Sequence, residues 1–144
     1  MLGYKNQVTQ MVLGTKAGTT YTPVTLESTY IAPGISGVLR SGGSSRVSFY
    51  IIYTVGTAET TNSIELKVEF SPDGTNWFRA SNDSTSTGTS TLTQREFTFV
   101  GAAAGAYSLN LPITISDLFM RIAAKETGVA AAKGTVSIEA TFSE

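Results

Sequence analysis

Carboxylate side chains are the groups of this sequence that could carry acid–base chemistry, because the 144-residue chain contains neither histidine nor cysteine. A two-carboxylate mechanism needs a pair of such groups held about 5–10 Å apart in a cleft. Glu65 and Glu69 alternate with Lys67, a pattern typical of the solvated face of a strand. The chain also lacks the imidazole and thiolate ligands that zinc and copper prefer. The sequence therefore predicts a protein that is not an enzyme and that has no cofactor.

The most distinctive motif is the stretch 71–78, which directly follows the most regular strand pattern of the chain. Pro72 fixes φ near −65°, a value that suits the second position of a turn. Asp73 can accept hydrogen bonds from the backbone that follows it, and Gly74 tolerates a positive φ. These three residues together predict a tight structural turn.

Calcium binding is the alternative interpretation of this turn, because Asp73 and Asn76 both offer oxygen ligands. Ca²⁺ takes about 6–8 oxygen ligands, however, and the turn contains a single carboxylate. We therefore expect no metal here. Trp77 and Phe78 are predicted to be packing anchors, with Trp77 sealing one end of the fold.

Exposed aromatic side chains could alternatively form a platform for sugar rings. The candidates are Tyr21, Tyr30, Tyr50, Tyr53, Trp77 and Tyr107. Tyr50 and Tyr53 would point to opposite faces of one strand, so they cannot share a platform. Core packing or packing between subunits is the favoured role of these residues.

The elements that must position these residues are predicted to be strands. Residues 64–70 and 136–142 alternate between apolar and polar side chains, which is the period of a half-buried strand. Eight strands are predicted in total, at 8–13, 20–26, 46–55, 64–70, 94–100, 107–115, 118–124 and 135–142. The strand at 46–55 is apolar on both faces, so we expect it to lie centrally and to be shielded on both sides.

The fold class predicted from these strands is an all-β antiparallel β-sandwich, jelly-roll-like, of about eight strands. Threonine and serine together make up 38 of the 144 residues, which also favours strands and loops. Residues 16–144 are predicted to form a single domain, and residues 1–15 an N-terminal arm. The stretch 81–91 has no apolar side chain and is expected to be a mobile surface loop.

Charge and hydropathy indicate which classes of partner the protein is expected to lack. The formal net charge is −1, and the basic residues are spread singly along the chain, so we expect no binding to nucleic acid. The sequence has no apolar run near the ~20 residues of a spanning helix, so we expect no membrane association.

Three stretches together carry a resemblance to a known class of proteins. The strand and turn at 69–78, the strand Phe-Met-Arg-Ile-Ala-Ala-Lys at 119–125 and the closing strand at 134–142 resemble small β-sandwich virion proteins of tailed bacteriophages. The similarity extends over residues 64–142. It implies a capsid decoration (cement) protein that binds the major capsid protein on the outer surface of the head and stabilises the head. It also implies a homo-oligomer, with a trimer favoured, located in the virion and assembled in the host cytoplasm.

The resemblance supplies no catalytic residues, so the residues of interest are those at interfaces. Within the arm at 1–15, the candidate contacts are Met1, Leu2 and Tyr4. Tyr50 and Tyr53 are the candidates on the predicted central strand. The arm is expected to contact the capsid or a neighbouring copy, with residues 8–13 pairing with that neighbour instead of their own sheet. The alternative functions are a carbohydrate-binding or host-adhesion module, or a small tail component of a phage particle.

Overall fold

A computed structural model describes residues 9–40, 45–56, 62–79, 96–101, 105–115, 118–128 and 133–143. Within these ranges the chain forms twelve strands and one short 3₁₀ helix. In chain order they are β1 (Thr9–Leu13), β2 (Thr15–Ala17), β3 (Thr20–Thr22), β4 (Val24–Thr25), the 3₁₀ helix (Ile35–Gly37), β5 (Leu39–Arg40), β6 (Arg46–Thr54), β7 (Ser63–Ser71), β8 (Phe78–Arg79), β9 (Glu96–Val100), β10 (Ala106–Thr114), β11 (Phe119–Thr127) and β12 (Thr135–Ser143).

Two antiparallel sheets contain most of these strands. The first, which we call the β6 sheet, has the order β1-β12-β6-β10, and β4 also pairs with β12. The second, the β7 sheet, has the order β5-β11-β7, and both β8 and β9 pair with the other edge of β7. The short strands β2 and β3 form a separate hairpin.

The connections between the sheets are those of a jelly roll. Without the short strands β2, β3, β4 and β8, the chain has eight strands in the described residues. Counted in chain order, these eight are β1, β5, β6, β7, β9, β10, β11 and β12. The β6 sheet contains the first, eighth, third and sixth of them, and the β7 sheet contains the second, seventh, fourth and fifth. The predicted antiparallel, jelly-roll-like sandwich is therefore confirmed.

The core lies between the two sheets and follows the period of two. In β6, Val47, Phe49, Ile51 and Tyr53 are each at most 1% exposed. The alternating apolar residues of β7 and β12 are also buried, as their pattern predicts. Each fully buried aliphatic or aromatic side chain of this kind contributes roughly 1.5–3 kcal/mol to folding.

Two expectations about the strands are wrong. β6 is central in its sheet, but only one of its faces is shielded, because no second layer within the described ranges covers Tyr50, which is 46% exposed. Residues 20–26 form two short strands instead of one, divided at Pro23, which has no N–H to donate to a ladder. The short strands β2 and β5 were not predicted, since two or three residues show no periodicity.

The amino-terminal strand also differs from expectation. Residues Thr9–Leu13 pair with β12 of the same chain, and Val12 and Leu13 are each only 5% exposed. The prediction that 8–13 pairs with a neighbour is therefore wrong for Thr9–Leu13, because these apolar side chains complete the core of their own sheet. Any arm therefore ends before Thr9. Residues 1–8 lie outside the described residues.

Candidate interaction surfaces

The turn at 71–78 is organised around the Asp73 carboxylate. The backbone N–H groups of Thr75 and Asn76 donate to Asp73 Oδ1, each at 2.8 Å. The Asn76 side-chain amide donates to Asp73 Oδ2 at 2.7 Å. Gly74 has a φ of 76°, a conformation that L side chains rarely adopt. The turn thus has the geometry that Asp73 and Gly74 predict, and Pro72 lies exposed at its start.

Ser71 closes the same turn from the side of β7. Its hydroxyl donates to Asp73 Oδ1 at 3.0 Å and accepts the Gly74 N–H at 2.8 Å. Both carboxylate oxygens therefore already accept donors from the turn itself. The backbone N–H groups of Asn76 and Thr75, followed by the Asn76 side chain, hold the pKa of Asp73 well below its ordinary value. These contacts support a structural role for Asp73.

Replacing Asp73 by alanine is expected to lower the urea midpoint of unfolding at pH 7, because the turn loses its acceptor. The folded pKa of Asp73 lies below the unfolded value of about 3.9, so its stabilisation is complete above about pH 4 and is lost as the pH falls. The difference between wild type and variant should therefore shrink from pH 4 downward. Thr75→Ala keeps the backbone donor and is the matched control. Equal midpoints for wild type and Asp73→Ala at pH 7 would contradict the assignment.

The two aromatic residues that end the turn, Trp77 and Phe78, lie on different faces of the β7 sheet. Trp77 is half-buried on the outer face of the β7 sheet, with its ring centroid 4.3 Å from the Arg121 guanidinium carbon. The expectation that Trp77 seals one end of the sandwich is therefore wrong, because a cation on the outer face holds its ring. Phe78, in β8, pairs with Phe70 of β7 and remains 60% exposed. The prediction that Phe78 is a packing anchor is therefore wrong, because most of its ring stays in contact with solvent.

Ion pairs cover the outer face of the β7 sheet. Arg121 Nε donates to Glu69 at 2.6 Å, Lys67 Nζ lies 3.0 Å from Glu69, and Lys125 Nζ lies 3.0 Å from Glu65. Glu69 is only 7% exposed, so the expectation of a solvated face is wrong for this residue. Burial opposes ionisation of Glu69, but Lys67 and Arg121 outweigh burial and lower its pKa.

Tyr30 lies over this row of charges. The Lys67 and Lys125 Nζ atoms are 4.5 and 4.7 Å from the Tyr30 ring centroid, and the Tyr30 hydroxyl donates to Glu65 at 3.4 Å. The neighbouring Ile31 forms a β-bridge with Ala124, which fixes the segment on the sheet. Glu65 and Glu69 are therefore each paired with a cation on a covered surface.

Tyr50 and Tyr53 point to opposite faces of β6, as their spacing predicts. Tyr50 is on the outer face, whereas Tyr53 is 0% exposed and donates its hydroxyl to Glu126 Oε2 at 2.7 Å. Burial, followed by the hydrogen bond to Glu126, raises the pKa of Tyr53 far above its ordinary value. The prediction that Tyr53 is an interface residue is wrong, because its ring completes the core.

Glu126 is a buried residue that sequence reasoning missed. It is 0% exposed, accepts the Tyr53 hydroxyl, and accepts the Gly134 N–H at 3.1 Å with each carboxylate oxygen. Gly134 has no Cβ, and a Cβ there would crowd this carboxylate. The only signal in the sequence is the position of Glu126 in a strand whose alternating partners Ile122 and Ala124 are apolar.

A shallow depression of about 310 Å³ lies on the outer face of the β6 sheet beside Tyr50. We call it the outer depression. Exposed Tyr50, Ser108 and Asn110 and half-buried Ile52 line it from this face. It combines one aromatic ring with a hydroxyl and an amide. This is the mixed chemistry that suits a sugar ring.

A second cavity, of about 180 Å³, lies on the open side of the sandwich where the edge strands β9 and β10 face one another. We call it the edge slot. Phe97 and Phe99 line it from β9, and Leu109 and Leu111 line it from β10. All four side chains are only half-buried. Sequence reasoning missed this site, although the nine residues of β10 include no charged side chain.

The remaining predicted site residues lie outside the described residues. They are Met1, Leu2 and Tyr4 of the predicted arm, and the predicted loop at 81–91 also lies there. Within the described ranges, no group of three acidic residues is arranged to hold a metal ion. The one helix of those ranges is a single 3₁₀ turn, so none there is long enough to cross a membrane.

No family model, no curated protein and no solved structure matches the chain.

Proposed function

We propose that this chain is a structural protein of a tailed-phage particle, namely a decoration (cement) protein that binds the major capsid protein on the outside of the head. The observation that carries the proposal is the uncharged edge strand β10 beside the apolar edge slot. An edge strand with free backbone groups is a surface on which another protein chain can add a strand. A protein that stabilises a lattice of subunits needs such a surface.

The chemistry of the described residues agrees with a binding role. The carboxylates Glu65, Glu69 and Asp73 are each occupied by cations or by turn donors. The turn at 71–78 and the strands at 119–125 and 134–142, which carry the resemblance to virion proteins, form structural elements. In this role the protein acts as a homo-oligomer, with a trimer favoured, in virions assembled in the host cytoplasm. It acts without enzymatic activity, cofactor, nucleic acid or membrane.

The test combines solution mass with binding to capsids. We expect light scattering to give an oligomer, and we expect the protein to co-sediment with phage heads that lack small surface proteins. Binding should saturate at a fixed ratio to the capsid subunit. Saturation that persists in high salt would agree with an uncharged contact. A monomer that stays in the supernatant at every concentration would overturn the proposal.

Carbohydrate binding is the second candidate, and the outer depression is the observation that favours it. Tyr50 is 46% exposed there, beside Ser108 and Asn110. A host-adhesion module, or a small tail component that binds a cell-surface glycan, would use this site. Glycan-array binding that is lost in Tyr50→Phe or Tyr50→Ala, with no capsid binding, would select this function over decoration.

A further inference from the structure

The free edge of β10 is the starting point of a second proposal. Within the described residues, β10 ends the β6 sheet and pairs only with β6. Natural proteins usually protect such an edge with charged side chains, bulges or short length. β10 has nine residues, an unbroken register with β6 and no charged side chain. These are the properties of an edge that can accept a further strand.

Hydrogen bonds at both ends of β10 show which backbone groups point to this edge. The Val55 N–H donates to the Gly105 carbonyl at 3.1 Å, and the Ile115 N–H donates to the Ser45 carbonyl at 2.9 Å. Alternate residues of an antiparallel strand bond to the same neighbour, so the odd-numbered residues of β10 bond to β6. The even-numbered residues therefore direct their N–H and C=O groups to the free edge. Pro112 is one of them, so its missing N–H takes nothing from the ladder with β6.

The side chains of β10 form one apolar row and one polar row. Tyr107, Leu109 and Leu111 point inward, because their partners in β6 are buried, and they are themselves only half-buried. Ser108 and Asn110 point outward and are exposed. A strand that adds to this edge should therefore present apolar side chains on the inner face and polar side chains on the outer face.

We propose that β10 pairs with β10 of a second copy, antiparallel and about a two-fold axis at Leu109, so that the β6 sheets of both copies form one continuous sheet. In this register Leu109 faces its own counterpart, and Tyr107 faces Leu111 of the second copy. On the outer face Ser108 lies opposite Asn110, and a hydroxyl and an amide can form a hydrogen bond. Each row of β10 thus meets a row of its own kind.

Charge and the position of the proline favour a second copy in this register. A two-fold axis places the middle of a strand against itself, so a charge there would face a like charge, and β10 has none. Pro112 falls opposite Ala106, in the last pair of the contact, where its missing N–H removes one hydrogen bond at each end. An axis at Asn110 would instead place Pro112 opposite Ser108, inside the contact.

This contact goes beyond the proposed function, because it requires no capsid. It uses the same edge of each copy, so it joins chains in pairs: it gives a dimer, or a hexamer where two trimers meet. A contact one strand wide is small, so we expect it to be reversible. A capsid subunit that adds to β10 would have to displace the second copy.

Cysteine cross-linking tests the register, because the chain has no native cysteine. Opposed residues that share no backbone hydrogen bonds have Cα atoms about 4.5 Å apart, which a disulfide can bridge. We therefore expect full-length Leu109→Cys to form a disulfide dimer on mild oxidation. Leu111→Cys is the matched control, because this residue lies four positions along the strand from its counterpart, about 13 Å away. It should cross-link at least about tenfold more slowly.

A second cross-link makes the test independent of how Leu109→Cys folds. Tyr107→Cys and Leu111→Cys proteins, of which one has a mass tag, are mixed and oxidised. We expect a tagged–untagged dimer, because these two positions are opposed in the proposed register. Light scattering of the unmodified protein should give a mass that rises with concentration toward an even number of chains.

Three outcomes would overturn the proposal. They are cross-linking of Leu109→Cys no faster than that of Leu111→Cys alone, no tagged–untagged dimer from the folded variants, and a monomer or a lone trimer at every concentration. The contact and the decoration function fail separately. A protein that cross-links at Leu109→Cys and also forms pairs in solution, but stays unbound to phage heads, would support this contact and overturn decoration.

Discussion

Replacing Phe49 by alanine should lower the free energy of unfolding by about 3–5 kcal/mol, the largest loss that we expect from a single substitution. Phe49 is 0% exposed in the central strand of the β6 sheet. Its cross-strand partners are Leu111 in β10 and Ala140 in β12. Ala140 is already small, so neighbouring side chains are poorly placed to fill the space. Urea denaturation followed by tryptophan fluorescence measures the loss.

Tyr50→Ala is the matched control, because it truncates the next residue of the same strand. Tyr50 is 46% exposed on the outer face, and substitutions at such positions usually change stability by about 0.5 kcal/mol or less. A loss at Tyr50 as large as the loss at Phe49 would contradict the assignment of inner and outer faces.

Tyr53→Phe is expected to cost about 1–3 kcal/mol, although it removes only one oxygen atom. The Tyr53 hydroxyl is the donor to Glu126 Oε2 at 2.7 Å, and both residues are 0% exposed. Without it, this buried carboxyl group keeps only the Gly134 N–H among the donors described above. Unfolding in urea at pH 7 provides the measurement.

A double-mutant cycle with Glu126→Gln shows whether the loss comes from this pair. We expect the two single losses to be non-additive by about 0.5–3 kcal/mol, as is usual for direct partners. Tyr50→Phe removes the same oxygen at an exposed position and should be nearly neutral. Additive losses in the cycle would show that Tyr53 and Glu126 act independently.

Fold class was predictable because alternation is a local signal. The apolar–polar alternation of residues 64–70 and 135–142 correctly identified the side chains that lie in the core. Strands that each bury one face pack as a sandwich, so this local pattern was enough to predict the fold class. The turn at 71–78 was equally predictable, since Asp73 interacts with residues two and three positions later. Local chemistry is what a single sequence reveals most directly.

Features that depend on distant partners were not predictable. Trp77 is held by Arg121, and Tyr53 by Glu126, which are 44 and 73 positions away along the chain. The outer face of β6 looked apolar, but alternation alone does not reveal whether a further layer covers a sheet. The edge slot likewise forms only because the topology makes β9 and β10 the facing edges of two sheets.

The order of the β6 sheet also determines when the protein can fold during synthesis. Its central strand β6 lies between β10 and β12, which are made some 50 and 80 residues later. β1 waits even longer, because its partner is also β12. A nascent chain therefore holds β1, and the edge of β6 that pairs with β12, unpaired until β12 emerges from the ribosome. Such non-local pairing places refolding in the millisecond-to-second range typical of β-sandwiches, with β12 as the strand that completes the sheet.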